Sequence, residues 1–115
     1  MTLLLIAIGA SIGAPLRFIL DRAITDRARD AQIPWGLFAV NVIGSCAAAI
    51  ILATTDGALR LMLLVGVCGA FTTFSGFGWD AVRLWSTARG AFWATVLGMP
   101  LACAAAFLAG WALVR

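Results

Sequence analysis

Four apolar runs alternate with short polar breaks along the chain, over residues 2–20, 35–53, 59–79 and 91–114. Each comes close to the roughly 20 residues a helix needs to cross a hydrocarbon core about 30 Å thick. The pattern predicts an all-α membrane protein with four transmembrane helices in a single domain, residues 1–115. Between the first two runs, "DRAITDRARDAQIP" reads as a loop. "TTDG" reads as a tight turn between the second and third, and "DAVRLWSTARG" as a link to the fourth, with room for a short interfacial helix. Trp35, Trp79, Trp85, Trp93 and Trp111 fall near the ends of the runs, where an aromatic belt would place them. There is no internal repeat, so any symmetry has to come from a second chain.

The third run does not read as an uninterrupted apolar helix. In "GVCGAFTTFSGFGWD", Gly66 and Gly69 precede Thr72, Thr73 and Ser75, and Gly76 and Gly78 follow. Non-helical backbone at membrane depth is tolerated where it is buried in protein or lines a cavity. Broken membrane helices expose carbonyls that bind cations and N–H groups that attract anions, so a broken third helix predicts an ion site. Phe74 and Phe77, three apart, share a face if the helix resumes. Their rings carry a positive edge, which suits weak contact with an anion as well as plain packing.

Two more polar residues stand inside apolar runs. Asn41, in "WGLFAVNVIGSCAAAI", shares a helix face with Gly44, Ser45 and Ala48. Its amide can serve as interhelical glue or donate to a bare anion. Arg17, after Pro15 and toward the end of helix one, suits either a side chain snorkelling to the interface or a cation at the mouth of an anion pathway. Gly9 and Gly13 form a GxxxG pair on the same helix, which favours close approach of two backbones.

Composition sharpens the class. The chain is 63% hydrophobic and 11% charged, against about a quarter charged for ordinary soluble domains. Every basic residue is Arg and every acidic one Asp, and His, Lys, Glu and Tyr are absent. Most acid–base, His–metal and Ser–His–Asp arrangements therefore cannot be built, and the chain is not expected to be an enzyme. Cys46, Cys68 and Cys103 lie in apolar runs without CxxC spacing and read as small buried hydrophobes. The arginines sit at segment ends and form no single patch, so no nucleic-acid partner is expected. Arg22, Arg27, Arg29, Arg83 and Arg89 lie on one side of a four-helix topology, with Arg60 and Arg115 on the other. That bias favours cytoplasmic linking loops and still leaves both orientations open. The N-terminal run lacks a positive n-region and reads as a retained helix. A small multidrug exporter of similar size would need a carboxylate within the membrane, whereas Asp21, Asp26, Asp30, Asp56 and Asp80 fall at loops or segment ends.

Taken together, "GASIGAPLRF", "WGLFAVNVIGS" and "GVCGAFTTFSGF" make the chain resemble the CrcB/Fluc family of fluoride channels over essentially its whole length. The resemblance implies an antiparallel, dual-topology homodimer with two fluoride pores along the subunit interface, in a bacterial inner membrane. It implies that Phe74 and Phe77 contact fluoride with their ring edges and that Asn41 faces the same path. Ser75, with Thr73, begins a hydroxyl track, and Arg17 sits at the pore mouth. The backbone carbonyls of Gly69 and Thr72 are implied to hold a structural, untransported Na+ as the one cofactor. Fluoride and membrane lipid are the implied partners, and export would be passive. The chain departs from the family where Gly76 and Gly78 replace hydroxyl residues. It departs again in helix four, which lacks the usual tyrosine and the serine or threonine and keeps Thr95 as its only hydroxyl. A subunit completed by a paralogous partner is the alternative these departures leave open.

Overall fold

The computed structural model describes all residues, Met1–Arg115. Four segments are long and apolar enough to cross a membrane: Thr2–Arg27, Trp35–Thr54, Gly57–Thr87 and Arg89–Leu113. The first, second and fourth are single helices, α1, α2 and α6. The third is assembled from α3 (Gly57–Arg60), π-helical turns over Leu61–Cys68, α4 (Gly69–Phe71) and α5 (Phe74–Thr87). The longest dimension is 45 Å, close to the thickness of a bilayer with its headgroups, about 40–45 Å. Only 15 of 115 residues are buried, while Leu3, Phe18, Trp79 and Leu108 point outward, as fits a chain surrounded by hydrocarbon.

The helices outrun the apolar runs that announce them. α1 continues through "DRAITDR", where Arg22 and Asp26 pair one turn apart at 3.6 Å. The loop read there is thus shortened to residues 28–34, and Arg17 lies inside the helix, ten residues before its end at Arg27. In the same way α5 carries on to Thr87 and only Ala88 separates it from α6, so the link, which left room for a short interfacial helix, is taken up by the end of α5 and the start of α6. Hydropathy marks where lipid ends, and backbone hydrogen bonding does not stop there. At the α2–α3 corner, Thr55 and Asp56 are extended and Gly57 takes φ 54°, a left-handed conformation that glycine adopts without penalty. The Arg60 guanidinium donates to the Thr55 carbonyl there through Nε (2.6 Å) and Nη2, closing the α2 C-terminus.

Two packings position the third segment. Against α1, Gly9 and Gly13 face Met62, Gly66 and Val67 backbone to backbone. A methyl at Gly9 or Gly13 would overlap the Met62 or Val67 carbonyl oxygen, and one at Gly66 would come within 2.7 Å of the Ile6 carbonyl. Here the GxxxG pair packs helices within one chain. On the other side α2 and α6 pack together, with Leu37, Val40 and Met99 forming a buried cluster, and Gly110 lies against the Cys46 backbone.

Alanine at Gly9 or Gly13 should therefore lower stability by about 1–3 kcal/mol through overpacking. Gly78→Ala and Gly90→Ala, which meet nothing within 4 Å, should be neutral or slightly stabilising. Thermal unfolding in detergent, followed by near-UV circular dichroism, separates the two classes.

Candidate functional site

The helical backbone is interrupted at two residues in the third segment. Thr72 (φ −85°, ψ 162°) and Thr73 (φ −149°, ψ 129°) are extended between α4 and α5. An extended dipeptide in a membrane leaves polar groups that must find partners. Asn41, buried on α2, supplies them: its Oδ1 accepts the Thr73 N–H at 2.8 Å and its Nδ2 donates to the Thr73 carbonyl at 3.1 Å. Gly44, one turn on, leaves the space that the Thr72 methyl fills. Thr73 in turn caps α5, its Oγ1 accepting the Gly76 N–H at 3.2 Å. The Asn41 reading as interhelical glue thus describes a bond that the structure contains.

These side-chain bonds free two carbonyls. In an unbroken helix, the Thr73 N–H would go to the Gly69 carbonyl and the Gly76 N–H to the Thr72 carbonyl. Both donors are taken instead, by Asn41 Oδ1 and Thr73 Oγ1 respectively. Carbonyls of the last turn before the interruption, Gly69 among them, and that of Thr72 are hard, neutral oxygens of the kind that can hold a cation such as Na+. No cluster of His, Cys, Asp or Glu side chains offers a metal site elsewhere.

Two cavities share Thr73 as a lining residue. One, of about 310 Å³, is lined by Asn41, Ser45, Thr72, Thr73, Phe74 and Phe77, and on α6 by Met99, Pro100 and Cys103. The Phe74 and Phe77 rings lie 5.7 Å apart at 43°, and Phe74 is 83% exposed. The other, of about 630 Å³, is polar. It runs from Arg17, Asp21 and Arg29 to Trp79, Asp80 and Arg83, and reaches Thr73, Ser75 and Gly76. Arg83 pairs with Asp80 at 3.1 Å, while Arg17 has no carboxylate within ion-pair distance. The lining as a whole is balanced, with Arg17, Arg29 and Arg83 set against Asp21, Asp26 and Asp80. The Thr73 and Ser75 hydroxyls are 3.1 Å apart, and both line the polar cavity.

Asn41, Thr72, Thr73, Phe74 and Phe77 accordingly share one cavity, Arg17 and Ser75 share the other with Thr73, and Gly69 lies one turn back on α4. Sequence reasoning missed Ser45 as a lining residue beyond its place on the Asn41 face, and missed Met99 and Cys103 altogether. The two sulfur residues are four apart on α6, a spacing that could have drawn notice. Thr95, singled out as the one hydroxyl of helix four, is fully buried in packing and its Oγ1 has no hydrogen-bond partner.

Comparison with known proteins gives a consistent pattern. Residues 4–112 match the family described as "CrcB-like protein, Camphor Resistance (CrcB)". A Streptomyces avermitilis protein named "Fluoride-specific ion channel FluC 1" is 36% identical, over 96% of this chain and 94% of its own length. A Frankia casuarinae protein of the same name is 36% identical, over 100% of this chain and 97% of its own length. A Novosphingobium aromaticivorans protein named "Fluoride-specific ion channel FluC" is 48% identical, over 69% of this chain and 68% of its own.

Replacing Asn41 with leucine strips both Thr73 backbone groups of their partner. A loss of about 1–3 kcal/mol per stranded group is the expected scale, read as a lowered unfolding temperature in detergent. Ser45→Ala, which removes only a hydroxyl bonded to its own helix at 2.8 Å, should change it little.

Proposed function

The chain belongs to the CrcB family, and from that premise we propose that it is a fluoride channel of a bacterial inner membrane, exporting the ion passively. The observation that carries the reading is the cavity in which the Asn41 amide and the Thr73 backbone meet the Phe74 and Phe77 rings. It lies in a chain whose relatives carry a fluoride-channel name.

Fluoride is small and tightly hydrated, so a path for it must replace water with donors and exclude larger halides by width. In the proposed route Arg17, with no carboxylate within ion-pair distance, is a cation at the mouth of the path. The Thr73 and Ser75 hydroxyls and the Asn41 N–H that is not held by Thr73 then replace water. Phe74 and Phe77 offer the positive edges of their rings. Each contact is weak enough for the ion to leave again. Protonated fluoride enters cells as a neutral acid and dissociates in a less acidic cytoplasm. The inside-negative potential then drives the anion out, at about 2.3 kcal/mol per charge per 100 mV, without ATP.

A single chain leaves the route open on one side, because the Phe74 ring is 83% exposed. A second, antiparallel copy is the proposed cover. The dimer brings the third segments together at their breaks, where the Gly69 and Thr72 carbonyls of both copies would hold one Na+. The ion supplies positive charge between like-facing carbonyl dipoles and is not transported.

Purified protein in liposomes loaded with potassium fluoride tests the reading. After valinomycin, a fluoride electrode should record fast efflux, while chloride-loaded vesicles hold their anion. Phe74→Ile should slow fluoride efflux by roughly tenfold, the equivalent of ~1.4 kcal/mol. Folded, dimeric protein that passes no fluoride, or passes chloride equally, contradicts it. Replacing Na+ with a bulky organic cation should lower dimer stability, as measured by cross-linking or unfolding temperature; no change would contradict the sodium site.

A further inference from the structure

Every hydrogen-bonding group of the Asn41 amide already has a partner. Oδ1 accepts from Thr73, one Nδ2 hydrogen goes to the Thr73 carbonyl, and the other goes to Met99 Sδ at 3.3 Å. The Thr73 pair fixes the orientation of the amide, since exchanging its O and N would set donor against donor and acceptor against acceptor. An ion that displaced either Thr73 bond would strand backbone inside the membrane. The bond to sulfur is of another kind. A thioether is a weak acceptor, carried on a side chain with enough rotatable bonds to withdraw. Met99 is 2% exposed, packed with Leu37 and Val40, and lines the cavity beside Phe74 and Phe77.

We infer that Met99 Sδ is the resting partner of the one Asn41 hydrogen that an anion in this cavity takes over, which makes Met99 a positioning residue that sets how tightly the cavity holds its ion. The inference rests on the fluoride route proposed above. An anion displaces sulfur because a hydrogen bond to a charged acceptor is roughly twice as strong as one between neutral groups. When the ion departs, sulfur takes the hydrogen back, and no bare N–H is left in an apolar space. The exchange lowers net affinity and so speeds release, as conduction requires.

Fluoride efflux from liposomes, measured over a range of internal potassium fluoride concentrations, tests this in wild type, Met99→Leu and Met99→Gln. Leucine conserves volume and removes the acceptor, whereas glutamine replaces sulfur with a strong carbonyl acceptor. The half-saturating fluoride concentration should fall roughly threefold in Met99→Leu and rise roughly threefold in Met99→Gln. A role in packing alone would lower the maximal rate in both and leave half-saturation in place. Shifts in the same direction, or none, beside a conducting wild type overturn the inference and leave the fluoride reading standing. Should the glutamine variant not fold, an unchanged half-saturation in Met99→Leu overturns it alone. A wild type that conducts nothing removes the fluoride route, and the inference with it.

Discussion

The clasp of Asn41 on Thr73 is the interaction on which the rest of the site depends. Two extended residues inside a membrane helix would strand backbone groups, each at a cost of several kcal/mol in hydrocarbon. One side-chain amide answers both polar groups of Thr73 from the neighbouring helix, at 2.8 and 3.1 Å. Gly44 gives Thr72 room beside it. Once the interruption is secured, its consequences follow from ordinary helix geometry. The Gly69 and Thr72 carbonyls lose their helical donors, α5 starts afresh on the Thr73 cap, and Phe74 and Phe77 fall on the cavity that Asn41 faces.

The same arrangement explains how a polar site can persist inside a mostly apolar chain. Its donors rest on acceptors of unequal strength. Backbone carbonyls hold the parts that must not move, and a thioether holds the hydrogen left over. Arg17 has no carboxylate within ion-pair distance in the polar cavity beyond, and Thr73 lines both that cavity and the one beside Asn41. Strong binding at any single point would trap an anion. In the proposed route, several weak contacts backed by a fixed scaffold would let it pass.

Much of this was legible in the chain, for physical reasons that also set the limits. Four apolar runs marked four helices, because hydrocarbon thickness fixes the length of a span. They did not mark where helices end, since α1 runs on to Arg27 and α5 to Thr87 in polar sequence that still favours helix. Asn41 was legible as a buried amide that needed partners, yet its choice of Thr73, 32 residues away, belongs to tertiary packing. Cys103 read as a small buried hydrophobe and Met99 drew no reading, and only the packing of α6 against α2 sets both on the cavity. The same packing buries Thr95, the conspicuous hydroxyl.

The account turns on Asn41 being both scaffold and ion contact, and side-chain amide NMR reports on both. In ¹⁵N-asparagine-labelled protein, which contains Asn41 as its single asparagine, potassium fluoride should shift one of the two Nδ2 hydrogens saturably. The hydrogen bonded to Thr73 should hold nearly still, and equimolar chloride should move neither. Fluoride that leaves both hydrogens unmoved in folded, dimeric protein, or chloride that moves them equally, would contradict it.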